Sequence, residues 1–363
     1  MHMKTFYRAS LLAVTLFFAG SFSALSDTLQ EALVSAYSNN PTLNAARAGQ
    51  RAQNENVAQA LSGRRPTINA TTSLGLQSER SFRSGGFGTG GFNDDFATGG
   101  VGATLTQNLF NGFQVSNNIK AAEAGVQAGF ENLRNTEQSV LQAAVTAYAD
   151  VIRDRDIMIL QEKNTSFSRE QLRAAKAQAD VGEGTRTDVA MAEANLASSL
   201  SALAAAKAAL RSSEATYLQI IGVQPGRLAT PNEAAAYLPG SLDAALSIAL
   251  NNHPLIKAAQ HNVDSGQFNV KVSEGTLLPS VSLNGNYLRS FQAGTADANS
   301  DQASVTANVS LPIYQGGARF SSIRQAKEIV SQLRIQVDEA RRQVDQAVRA
   351  SWAGLVSARS QTE

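Results

Sequence analysis

The chain has 363 residues, with 31 Lys and Arg against 30 Asp and Glu, a formal charge of +1. That balance provides no charge-driven attraction to nucleic acid, and the absence of cysteine removes disulfides, thiolate metal sites and a Cys nucleophile. Aromatic residues make up only 6% of the chain; the abundant Ala, Ser, Gln and Asn suit long helices in close backbone contact better than a bulky core.

Residues 1–26 read as a secretory signal peptide. Lys4 and Arg8 form a basic region, Leu11 to Gly20 an apolar one, and Ala24-Leu25-Ser26 a cleavage site of small residues before Asp27. The apolar region is shorter than the roughly 20 residues of a spanning helix. No Cys follows the cleavage site, so a bacterial-type lipid anchor is excluded. No other stretch reads as apolar enough to cross a membrane as a helix. Entry into a membrane would therefore require a closed barrel.

A short amphipathic helix follows, with Leu29, Ala32, Leu33 and Ala36 on one face, ending at Asn39-Asn40. Pro41 opens a second helix that runs to Ser62, and Gly63 stops it. Beyond Pro66 the period changes to two. Ile68, Ala70, Thr72, Leu74 and Leu76 alternate with Thr67, Asn69, Thr71, Ser73 and Gln77. Val101, Ala103, Leu105 and Leu109 likewise alternate with Gly102, Thr104, Thr106 and Asn108. Each strand is expected to span about ten residues, one face apolar and the other small, polar and uncharged, as in a transmembrane barrel. Gln77 to Gly100 reads as a long external loop between them. After Gly112 an unbroken helix is predicted over Gln114 to Asp180, about 100 Å long at 1.5 Å per residue. Val181-Gly182-Glu183-Gly184-Thr185 breaks it, and a return helix runs from Arg186 to Ile221. The three prolines between Gly222 and Gly240 mark a linker.

The same order then recurs. TLQEALVSAYSNNPTLNAA (Thr28 to Ala46) matches SLDAALSIALNNHPLIKAA (Ser241 to Ala259) at an offset of 213, which holds through Pro66 and Pro279. LFNG (Leu109 to Gly112) matches IYQG (Ile313 to Gly316) at an offset of 204, as TAYADV (Thr146 to Val151) matches ASWAGL (Ala350 to Leu355). Val281, Leu283, Gly285 and Tyr287, then Val305, Ala307, Val309, Leu311 and Ile313, supply two further alternating strands. Pro66, Gly112, Pro279 and Gly316 stand at the junctions between helix and strand. Four strands cannot close a membrane barrel, for which about eight is the minimum, so closure requires several copies. The organisation is 1–26 signal peptide, 27–222 first repeat, 223–240 linker and 241–363 second repeat.

Catalytic readings fail on context. His253 and His261 have no metal-ligand spacing, and both read as exposed helix-end residues. GFGTGG (Gly86 to Gly91) matches a dinucleotide motif, but no helix opens after it. Phe82, Phe87, Phe92 and Phe96 offer contacts for a partner or neighbouring loops. The run Asp150, Arg153, Asp154, Arg155 and Asp156 reads as a solvated face. No enzyme and no cofactor is expected.

TLQEAL followed by NP at the mature N-terminus, LFNGF before the long helix, and VGEGTRTDVAMAEANL (Val181 to Leu196) together resemble the TolC family. Its members are outer-membrane channels of tripartite efflux pumps and type I secretion systems. The resemblance implies an α+β membrane protein, with helical tunnel hairpins and four strands per chain in a trimeric twelve-stranded barrel. It implies a homotrimer in outer-membrane lipid with a periplasmic helical extension, an inner-membrane transporter of ABC or RND type, and a periplasmic adaptor. Val181, Gly182, Thr185, Arg186 and Asp188 would form the periplasmic entrance turn, with Asp188 in its polar network. The family's Tyr/Arg pair and Asp ring belong to the second copy's turn, which would begin near position 385, whereas Glu363 is equivalent to Ile159. A C-terminally truncated chain of this extent is expected to assemble poorly, gate without regulation and expose the apolar stripe of its second long helix. A non-transport surface coiled coil or adhesin-like protein, or a non-functional fragment, is the alternative class.

Overall fold

The computed structural model describes residues 28–83, 90–230, 238–293 and 298–362, so the segment expected to be a signal peptide lies outside the described residues. Side-chain caps decide where the first helices begin. α1 (Leu29–Asn39) starts at a reciprocal cap: Thr28 Oγ1 accepts from the Glu31 amide at 3.3 Å, and Glu31 accepts from the Thr28 amide at 3.1 Å. Asn40, in extended backbone, accepts from the amides of Thr42 and Leu43, and Pro41 supplies the fixed φ of a first helical residue. α2 (Pro41–Ser62) follows. α3 (Gln114–Asp180) and α4 (Arg186–Ile221) keep their expected bounds, and α4 ends on Gly222 at φ +88. The second copy supplies α5 (Leu242–Asn252), α6 (Pro254–Gly275) and α7 (Ala318–Thr362).

The strands correct the expectation of about ten residues and of a loop over Gln77 to Gly100. β1 (Thr67–Arg83) and β2 (Gly90–Asn111) form one long hairpin, paired from Thr67 opposite Thr106 to Arg83 opposite Gly90. Backbone pairing carries the ladder past the point where the apolar alternation stops. β3 (Ser280–Ala293) and β4 (Ala298–Ser310) pair likewise, and the sheet order is β1-β2-β3-β4. Gly90 and Gly91 therefore lie in a strand, and the rest of the GFGTGG match lies outside the described residues. Phe87 also lies outside them.

The chain divides into two compact units that cut across the repeats: Met1–Asn39 with Gln142–Asn232, and Asn40–Leu141 with Glu233–Glu363. In the first unit, the end of α3 and the whole of α4 run antiparallel. Thr165 donates to the Ser199 carbonyl at 3.3 Å, and the ion pairs Lys207–Glu162 and Lys176–Glu193 flank that bond. The core of this unit gathers Ala32, Ala36, Ala144, Tyr148, Val151, Tyr217 and Ile221. α4 also corrects the expectation that no mature helix is apolar enough to span. Its mean hydropathy reaches 1.2 over 18 residues, by length and composition enough to cross a membrane.

In the second unit, α2 lies against the start of α3, where Gln50 and Gln53 donate to the Val126 and Gly125 carbonyls at 3.3 and 2.9 Å. α6 packs on α7 through Ile256, Ala340 and Val344. α7 leaves Phe320, Ile329, Ile335 and Val356 exposed.

Candidate channel-forming site

The sheet keeps the two faces read from the sequence. Ile68, Leu105, Gly285 and Val305 stand in one row across the four strands, and Ala70, Ala103, Tyr287 and Ala303 in the next. The opposite face carries Thr71, Ser73, Thr104, Asn284, Asn286, Ser304 and Thr306, which are small or amide side chains without charge. Ile68, Leu74, Leu76, Val101, Val305 and Val309 are all more than half exposed, so no layer covers the apolar face among the described residues. Arg289 and Asp301, 3.7 Å apart, interrupt that face beyond the Tyr287 row. Among the described residues no strand pairs with the outer edge of β1 or of β4.

The repeat reaches individual pairs. Moving Thr67 by 213 gives Ser280, and moving its partner Thr106 by 204 gives Ser310; Ser280 and Ser310 are themselves opposite each other.

Pro66 immediately precedes β1 and Pro279 immediately precedes β3, so each ends its helical turn and starts a strand. Gly112 and Gly316 follow the strand pair in each copy with φ +64 and +59, the left-handed region that favours glycine. Gly112 is also closely packed: a Cβ there would collide with the Gly275 carbonyl oxygen and sit 2.9 Å from Leu278 Cβ. Gly316 faces open space. Phe113 follows Gly112 at φ +61 and meets Phe110 edge-on at 5.2 Å. This residue was missed, although its alignment with Gly317, at φ +81, marks a left-handed pair in both copies.

The turn between α3 and α4 is assembled locally. Gly182 adopts φ +83, the amides of Glu183 and Gly184 both reach the Gln178 carbonyl, and Val181 is 71% exposed. Thr185 caps α4. Its hydroxyl accepts from the Asp188 amide at 3.2 Å and donates to Asp188 Oδ2 at 2.7 Å, which also accepts from the Thr185 amide at 2.9 Å. Hydrogen bonds from the Thr185 hydroxyl and then the Thr185 amide hold the Asp188 carboxyl below its ordinary pKa. The folded pKa is depressed, so this cap is complete above the ordinary carboxylate range and is lost as pH falls through the lowered value. Arg186 is exposed and forms no ion pair among the described residues. Thr185→Ala is expected to weaken the first turn of α4 by about 1 kcal/mol. Amide exchange around Asp188 and Val189 should then speed up about fivefold. After correction for intrinsic exchange, which itself slows on acidification, protection of these amides should fall with pH in the natural chain and fall less in the variant.

The charged run on α3 is only partly solvated. Asp154 is 7% exposed and pairs with Arg153, while Arg155 donates to the carbonyls of Gly226 and Pro225 at 2.7 and 3.1 Å. Arg155 thus ties the start of the linker to α3. His253 is corrected from an exposed residue to the N-cap of α6, where its Nδ1 accepts from the Leu255 amide at 3.2 Å. It occupies the place of Asn40, and partial burial lowers its pKa, which favours the neutral ring that this acceptor role requires. Among the described residues no group of three or more potential metal ligands is assembled.

A family model described as outer membrane efflux protein matches residues 32–223 and 245–363. The outer membrane efflux protein BepC of Brucella suis is 45% identical over 339 residues, covering 93% of this chain and 72% of BepC. The alkaline protease secretion protein AprF of Pseudomonas aeruginosa is 26% identical over 69% of this chain and 53% of AprF. The crystal structure of CusC, described in connection with transmembrane channel formation, superposes with a TM-score of 0.72 at 16% identity. That superposition covers 93% of this chain and 79% of CusC.

Proposed function

Because the chain belongs to the outer membrane efflux protein family, we propose that three copies each contribute β1–β4 to one closed twelve-stranded barrel. The family's members are outer-membrane channels and not enzymes. In this reading the apolar face meets lipid and the uncharged polar face lines water, while the helices continue as a duct in the periplasm. The turn at Val181, Gly182, Thr185, Arg186 and Asp188 forms the periplasmic mouth. The duct conducts drugs or secreted proteins passively, and an ABC or RND transporter in the inner membrane supplies both cargo and energy through a periplasmic adaptor. BepC is named for efflux and AprF for protease secretion, which supports export in general and leaves the cargo to the transporter.

One observation carries this reading: among the described residues, a four-stranded sheet has one bare apolar face, an opposite face that is largely polar and without charge from Thr67 to Gln77, and two unpaired edges. In lipid such edges must be paired. Protein purified from outer membranes is expected to give stepwise ion currents in planar bilayers. Folded, trimeric protein that passes no current would overturn the channel reading.

A further inference from the structure

Charged residues are distributed unevenly around the sheet. Positions 67–78, 96–111, 280–288 and 302–310 carry none, which makes an uncharged belt across all four strands. Beyond that belt, toward the hairpin ends, the strands hold three basic and four acidic residues. At the helix end the sign is one-sided. The two nearest turns of α2, α3, α6 and α7, with the residues that join them to the strands, contain Arg64, Arg65, Lys120, Lys271, Arg319 and Arg324 against Glu274 alone. Glu274 is itself paired with Lys327 at 3.5 Å. Two helical turns span about 10 Å, and the headgroup layer on each side of a bilayer core is roughly 5–8 Å thick.

One of these cations sits in a shaped setting. Arg64 lines an open cleft of about 380 Å³ with Gln107, Leu109, Phe110, Phe113 and Ser116. Its guanidinium donates to the Ser116 hydroxyl at 3.3 Å and forms no ion pair among the described residues. Apolar groups form the other wall. Phe110 stands opposite Val281, and Val281 opposite Val309, the row of the apolar face nearest the helices. Leu109 and Phe113 are 60% and 61% exposed. Phe113 also holds a backbone conformation that costs energy. Its φ is +61, where a bulky side chain is disfavoured, whereas the second copy has Gly317 at the same place. The second copy likewise has Leu277 in place of Arg64. The first copy thus sets a strained, exposed aromatic beside a guanidinium without a carboxylate partner, and the second copy has neither.

We propose that this cleft binds the headgroup of an anionic phospholipid in the leaflet nearest the helices. Arg64 and the Ser116 hydroxyl donate to the phosphodiester oxygens, and hydrogen bonds from a guanidinium to phosphate are charge-assisted. The first methylenes of the acyl chains run over Phe113, Leu109 and Phe110 onto the apolar face. The remaining cations of the rim attract further anionic headgroups diffusely. The inference rests on the reading that the apolar face meets lipid, and adds which lipid is preferred and where it is held.

The test uses the full chain reconstituted in nanodiscs of phosphatidylcholine and phosphatidylglycerol in equal amounts with identical acyl chains. Lipids that stay on the protein after transfer to detergent are counted by native mass spectrometry. The natural chain is expected to retain phosphatidylglycerol preferentially. Arg64→Gln should lower that preference about fivefold, the factor for one cation at an anionic surface. Arg173→Gln, the same charge change on an exposed part of α3 far from the sheet, should leave it unchanged. Phe113→Gly, which copies Gly317 and relieves the backbone, should lower retention of both lipids. Inserted protein that retains the two lipids equally, or equal behaviour of Arg64→Gln and Arg173→Gln, would overturn the inference alone. Folded protein that does not enter the bilayer would overturn the lipid-facing sheet and this inference with it.

Discussion

Val305→Arg is expected to remove the protein from the outer membrane, whereas Thr306→Arg, the next residue, is expected to leave it there. Val305 stands in the row with Ile68, Leu105 and Gly285, between the Val281–Val309 pair at one end and the Arg289–Asp301 pair at the other. It is 78% exposed in the chain, so an arginine there would meet no steric obstacle and would cost little if this face met water. Facing lipid, an arginine near the bilayer midplane costs about 2–4 kcal/mol. Three copies would incur that cost three times, a total comparable with the roughly 5–15 kcal/mol that holds a typical domain folded. Thr306 projects from the other face, where water would hydrate the guanidinium. Quantitative blotting of outer-membrane fractions, with the trimer band in unheated detergent gels, separates the outcomes. Equal accumulation of both variants would show that the apolar face does not meet lipid.

The second large effect belongs to the helical core. Tyr148→Ala is expected to destabilise the unit built from α1, α4 and the end of α3 by about 3–5 kcal/mol, the usual cost of deleting a large buried aromatic side chain. Tyr148 is 1% exposed, its ring centre lies 6.4 Å from that of Tyr217, and its hydroxyl donates to the Ala229 carbonyl at 2.6 Å. The substitution therefore opens a cavity and also removes a tie to the linker. Tyr148→Phe keeps the ring and loses only that hydrogen bond, so about 1 kcal/mol is expected. Thermal unfolding followed by circular dichroism, together with the rate of protease cleavage in the linker, measures both. Near-equal effects of the two substitutions would place the stabilisation in the hydrogen bond and not in the ring.

The elements differ in how far their sequence revealed them. Pro41, Pro254, Gly222 and the Thr185–Asp188 cap are local signals, and they set helix ends at the expected residues. The two sheet faces were legible because alternation at period two is a local property, and the repeat offsets carried the register from one hairpin to the other. Strand length was not legible. Residues 77–100 lose the alternation among Gly, Asn and Asp, and only pairing across the hairpin extends the ladder through 77–83 and 90–100. The cap at His253 was hidden because imidazole is an unusual capping group, although its alignment with Asn40 offered the clue. Arg155 gave no signal, because its partners are backbone carbonyls, which leave no trace in residue type. The turn between α3 and α4 was legible as a break, while the role of Asp188 within it emerged only from the hydrogen bonds it accepts.

That the sheet is one third of a barrel, with lipid outside and water inside, is tested most directly by single-channel recording with a bulky, charged thiol reagent. Thr306→Cys and Val305→Cys differ by one residue and by the face they occupy. A barrel of the proposed orientation gives stepwise currents from both variants, with the current falling on labelling of Thr306→Cys and unchanged when Val305→Cys is exposed to the same reagent. Stepwise current blocked through Val305→Cys alone, or no current from folded trimers of either variant, would contradict it.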